Sequence, residues 1–191
     1  MNKLGAFAMA WALLVALGAT RVSAQALPSS GFDFKVASLA DIKDSESKFV
    51  GLAKAIPADK YTWRPGEGVR SISEVFLHIA SANYGLPTML GVAAAEGVDR
   101  KTLEKSTTDK DKVVDQLSKS FAYLESSIDK VSLADLQKQT KLFGGKEGYG
   151  GDILFLIITD LHEHLGQMIA YARINNVIPP WTAARQRPPG L

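Results

Sequence analysis

Ile153-Leu-Phe-Leu-Ile-Ile-Thr-Asp160-Leu-His162-Glu163-His164-Leu-Gly-Gln-Met-Ile-Ala-Tyr-Ala-Arg-Ile174 runs without a proline and is long enough for about six helical turns. A step of about 100° per residue gathers Ile153, Leu154, Ile157, Ile158, Leu161, Leu165, Met168 and Ile169 into one apolar arc. Asp160 and His164, four residues apart, stand together at the edge of that arc. His162 falls far round on the other side, and Glu163 also turns away. A carboxylate and an imidazole at the margin of a core lose hydration unless a partner compensates them. A metal ion is one such partner, so the rest of the chain is searched for a further ligand.

Ser71-Ile72-Ser73-Glu74 has the spacing of a capping box and opens a helix predicted to reach about Val92. Ile72, Val75, Ile79, Ala82, Leu86 and Met89 share one arc of it, His78 lies at that arc's edge, and Pro87 is expected to kink it. His78, Asp160 and His164 thus offer two imidazoles and a carboxylate from two helices. A catalytic metal site needs two or three anchored ligands and an open position. The same spacing also suits an internal ion pair between Asp160 and an arginine or His164, and spacing leaves both readings open.

Elsewhere, Ser38 or Asp41 can start a first helix that runs to about Ala55 and is closed by Pro57. The loop Ile56 to Arg70 carries Tyr61 and Trp63, which are expected to pack it onto the body. Gly97 to Asp109 reads as polar connection. Asp109 or Asp111 begins a third helix with Val113, Leu117, Phe121, Leu124 and Ile128 along one face. Ser132 caps a short helix to about Thr140, and Phe143 to Gly151 reads as a glycine-rich loop. No strand-like alternation stands out. The pattern predicts an all-α fold, an up-down four-helix bundle with one short extra helix, over residues 38–181. Residues 25–37 read as a flexible lead-in and 182–191 as a flexible tail.

Met1-Asn2-Lys3, the apolar run Leu4 to Gly18 and the small residues of Val22-Ser23-Ala24 have the order of a cleaved signal peptide, residues 1–24. The expected location is therefore periplasmic or secreted, with no stable membrane insertion after cleavage. Without Lys3 and Arg21 the 22 basic residues become 20, against 20 acidic, a balance that argues against nucleic-acid binding. The chain has no Cys, hence no disulfide, thiolate ligand or Cys nucleophile. It carries no Gly-x-Ser-x-Gly elbow, P-loop, dinucleotide fingerprint or His-Glu-x-x-His.

Two stretches, Ile56-Pro57 through Tyr61-Thr62-Trp63-Arg64-Pro65 to Arg70-Ser71-Ile72 and His78-Ile79, and His162-Glu163-His164-Leu165-Gly166-Gln167 with Tyr171-Ala172-Arg173, resemble the DinB-like superfamily of DinB and YfiT type. The resemblance spans roughly Leu39 to Trp181. It implies a four-helix bundle, often a homodimer, with a divalent-metal site of three histidines. Carried over by position, the ligands are His78 and His164, with Asp160 where the family usually has His. Zinc, nickel, manganese or iron would suit such a set. Some family members are thiol-dependent transferases or isomerases, and an exported location argues against that chemistry here. The function expected is an exported metal-dependent enzyme of hydrolase or thiol-transferase type acting on a small molecule. The alternative is a non-catalytic bundle that binds a small molecule or partner in the cell envelope.

Overall fold

The computed structural model describes residues 31–186. Helix α1 spans Phe34–Ala55 and begins ahead of Ser38 because the Asp33 carboxylate accepts the Val36 N–H at 3.1 Å. The loop after it is ordered by its own aromatics. Tyr61 is fully buried and its hydroxyl donates to the Ala53 carbonyl at 2.7 Å. Main-chain bonds from Ile72 N to Trp63 O and from Ser73 N to Tyr61 O then deliver the chain into the next helix.

Helix α2, Ile72–Gly85, opens with both halves of the Ser71/Glu74 capping box formed. It stops short of Val92. Pro87 has no N–H to give the Asn83 carbonyl, and the chain tightens into a 3-10 turn over Leu86–Leu90, closed by Gly91 at φ 83°. The segment read as polar connection contains a one-turn helix, α3 at Arg100–Leu103, started by the Asp99 carboxylate on Lys101 N at 3.0 Å. Helix α4, Lys110–Lys130, buries Val113, Leu117, Phe121, Leu124 and Ile128, the face read from the sequence.

Ser132 caps α5, Leu133–Gln137. Strands β1, Gln139–Lys141, and β2, Glu147–Tyr149, then pair antiparallel with Thr140 opposite Gly148. Helix α6 covers Gly150–Ile174, and α7 covers Pro180–Gln186. A side chain at Gly150 would collide with the Asp135 carbonyl, so a glycine lets α6 start against α5.

The core lies among α1, α2, α4 and α6: α1 borders α4 and α6, and α2 borders the same two. Phe49, Phe76 and Phe121 are wholly buried there, each worth roughly 1.5–3 kcal/mol of burial. The expectation of a four-helix bundle with one short extra helix is corrected. The fold is all-α in character, but the described residues form seven α-helices and a small hairpin. The unexpected elements are too short for apolar periodicity to register. Local caps set them instead, as when Thr182 and Ala183 N–H groups close on Pro179 O to start α7, which crosses the boundary read between bundle and tail at residue 181. Residues 1–24, read as an export leader, lie outside the described residues.

Candidate metal centre

The capped start of α2 fixes the rotation of His78, and the long apolar arc of α6 fixes that of Asp160 and His164. The structure brings these three together: one ligand atom from each lies within 4.8 Å of the others. His78 and His164 meet edge to face with ring centroids 4.8 Å apart at 72°. His164 Nε2 stands 3.6 Å from Asp160 Oδ1. That is beyond a hydrogen bond, and close to the ~3.4 Å between neighbouring ligands on a tetrahedral ion with bonds of about 2.05 Å.

What sits behind each imidazole decides which nitrogen faces the centre. His78 Nδ1 is 3.0 Å from Glu104 Oε2, and Glu104 Oε1 accepts from Arg70 Nε at 2.8 Å. Burial pushes the Glu104 carboxyl up, but the hydrogen bonds from Arg70 and His78 outweigh it and hold the group below its usual range. An ionised carboxylate only accepts, so His78 Nδ1 carries the hydrogen and Nε2 keeps its lone pair.

A second chain of bonds reaches the same result at His164. Tyr171 Oη donates to the Arg70 carbonyl at 3.3 Å and accepts from Gln167 Nε2 at 3.0 Å. Gln167 Oε1 is thereby turned to accept from His164 Nδ1 at 2.9 Å, which again leaves Nε2 as a lone-pair donor. Trp63 stands edge-on to Tyr171 at 5.3 Å and holds that ring in place.

Burial raises the Asp160 carboxyl above its usual range, against the lowering pull of His164 and His78. Among the described residues no Lys or Arg forms an ion pair with it, so of the ion-pair reading only the His164 contact at 3.6 Å remains. Two imidazole lone pairs and a half-buried carboxylate without a protein cation fit a divalent ion. The group opens on a cleft of about 210 Å³ lined by Ser81, Ala82, Leu86, Arg100, Phe143 and Leu156. Among the described residues a larger hollow of about 730 Å³ between Tyr84, Val98 and Tyr123 holds no such ligand cluster, so size alone does not locate the chemistry.

His162 and Glu163 are exposed, as read, and His162 bonds Asp41 of α1 at 2.9 Å. Glu104 went unread because it follows a one-turn helix with no periodic signal. Gln167 and Tyr171 stand three and seven residues after His164, on its side of α6, and that spacing was the available clue.

The chain belongs to the DinB superfamily, whose family model matches residues 41–168. Among solved structures it is similar to a DinB-like protein from Bacillus cereus, at 15% identity and TM-score 0.66, over 76% of this chain and 95% of that one. It is also similar to YfiT from Bacillus subtilis, described as a probable metal-dependent hydrolase, at 11% identity and TM-score 0.60, over 80% and 95%. A mycothiol-dependent maleylpyruvate isomerase matches at 13% identity and TM-score 0.58, over 70% of this chain and 60% of that one. At these identities the likeness is one of fold. No curated protein matches the chain.

Proposed function

We propose that this protein is a metal-dependent enzyme of hydrolase or thiol-transferase type, with a divalent ion held by His78 Nε2, His164 Nε2 and the Asp160 carboxylate. The observation that carries the reading is the commitment of both Nδ1 hydrogens, to Glu104 and Gln167, beside a carboxylate that lacks a protein cation. Such an ion supplies Lewis acidity to the water, thiol or carbonyl oxygen that enters beside it. The chain's own residues do the rest. Glu104 fixes the ring of His78, Gln167 fixes that of His164, and Leu86 and Leu156 keep the cleft partly apolar. Any thiol would come from a small cosubstrate, since the chain has no Cys. The fold likeness to the mycothiol-dependent isomerase supports keeping that branch.

Metal analysis of protein purified without a chelating tag tests the reading. Near-stoichiometric metal is expected in the wild type and little in His78→Ala, Asp160→Ala and His164→Ala. Equal content in all four overturns it. We also propose export with cleavage before Gln25, read out as the mass of the processed chain. A homodimer formed through the α6 face that exposes Phe155 is read out by light scattering. Tyr84 is buried against Tyr123 and is not available to such a contact.

A further inference from the structure

Arg100 lines the same cleft as His78 and Asp160, and the fold holds it there by two independent means. Its Nε donates to the Ser81 carbonyl at 3.0 Å, while Ser81 Oγ donates back to the Arg100 carbonyl at 3.3 Å. Its guanidinium also lies across Gly85 of α2, in space that a Cβ at this position would occupy. Among the described residues no carboxylate forms an ion pair with Arg100, and neither Nη makes a hydrogen bond. The nearby acid, Glu104, is four residues further on and is taken up by Arg70 and His78. A guanidinium anchored through Nε and resting on Gly85, with no protein acceptor on either Nη among the described residues, is a planar fork suited to a planar oxyanion at the cleft.

We propose that the cleft takes a small organic carboxylate as substrate, its carboxylate paired with the Arg100 Nη groups and its apolar body against Leu86, Leu156 and Phe143. The volume, about 210 Å³, equals the share of about seven water molecules in the liquid and has room for a ligand of roughly the size of benzoate. The apolar lining by Leu86, Leu156 and Phe143 suits the organic body of such an acid and offers nothing to inorganic phosphate. The direction of the reacting end, toward His78, Asp160 and His164, rests on the metal reading above. The pairing with Arg100 rests on its own geometry.

The test titrates zinc-loaded protein with benzoate, benzamide and inorganic phosphate, following backbone amide and Arg100 Nε–H resonances by NMR. Benzoate is expected to shift Arg100, Ser81 and Leu156, with weaker or no response to benzamide and phosphate. Arg100→Gln should weaken benzoate at least tenfold while zinc content stays at the wild-type level. Gly85→Ala, which pushes the guanidinium out of its notch, should act in the same direction with a folded spectrum. Benzoate affinity unchanged in both variants overturns the proposal, because the acid is then held by zinc alone. Tighter binding of phosphate overturns the carboxylate assignment. If the protein takes up no zinc yet benzoate still shifts Arg100, the metal reading falls and the Arg100 pairing stands.

Discussion

Glu104 shares one carboxylate between Arg70 and His78, and the isosteric change Glu104→Gln alters more than charge. Arg70 requires an acceptor, so the amide oxygen of a glutamine would stay with it and turn its NH2 toward His78 Nδ1. The hydrogen on His78 would then move to Nε2 and block ligation. Glu104→Gln is therefore expected to weaken metal binding by roughly 100-fold, the upper end of the range for outer partners of ligands. Glu104→Ala, which lets water replace the carboxylate, should cost nearer 10-fold. Competition against a chromophoric chelator measures both, and the reverse order would reject the tautomer argument. Asp160→Asn pulls function and stability apart. It removes a carboxylate that burial disfavours and places an amide N–H beside the His164 Nε2 lone pair. The metal-free protein should gain about 1 kcal/mol while losing metal, checked by calorimetry in the presence of EDTA.

At the scale of elements, α2 is the strut on which His78 stands, and its capping box is the place to loosen it. The Ser71 backbone hydrogen bond is the main force holding the Glu74 carboxyl below its usual range; burial opposes it, and Arg64 and the Ser71 hydroxyl add to it. A depressed carboxyl contributes stability above its unfolded pKa, and that contribution is lost as pH falls through the folded value. Glu74→Ala should thus lower the Tm by about 2–4 °C near neutral pH for a cost of about 1 kcal/mol. The gap to wild type should close in acid, and a gap independent of pH would assign the loss to packing. The capping box, the arc of α6 and the face of α4 were legible because each repeats its signal over several turns. In α3 the whole helix is one turn and offered Asp99 as its only mark. Glu104 and Arg100 thus remained unread, although one bonds a candidate ligand and the other lines its cleft. The hairpin was missed for a related reason: three-residue strands around Gly144 and Gly145, both at positive φ, show turn chemistry but no alternation.

For the whole molecule, the ligand set spans α2 and α6, two elements far apart in sequence, so an ion held there couples metal binding to global stability. A ligand that binds only the folded chain adds about 2.7 kcal/mol at a hundred times its Kd. For a domain of this size that corresponds to a Tm rise of about 5–11 °C. The wild type should show such a rise on adding zinc or nickel at that level. Glu104→Gln, with a Kd about 100-fold weaker, should show about 1 °C at the same concentration. His164→Ala should show none. His162→Ala is the control, since that imidazole faces Asp41 on the outside of α6 and takes no part in the cluster. It should keep the full shift. A shift lost in His162→Ala and kept in His164→Ala would move the metal to the exposed face. A shift kept in both would mean that the ion acts elsewhere, and that Asp160 is a half-buried carboxylate paired at most with His164. Only loss confined to the His164 variant ties the ion to the facing sides of α2 and α6, where Asp160 supplies the one negative ligand.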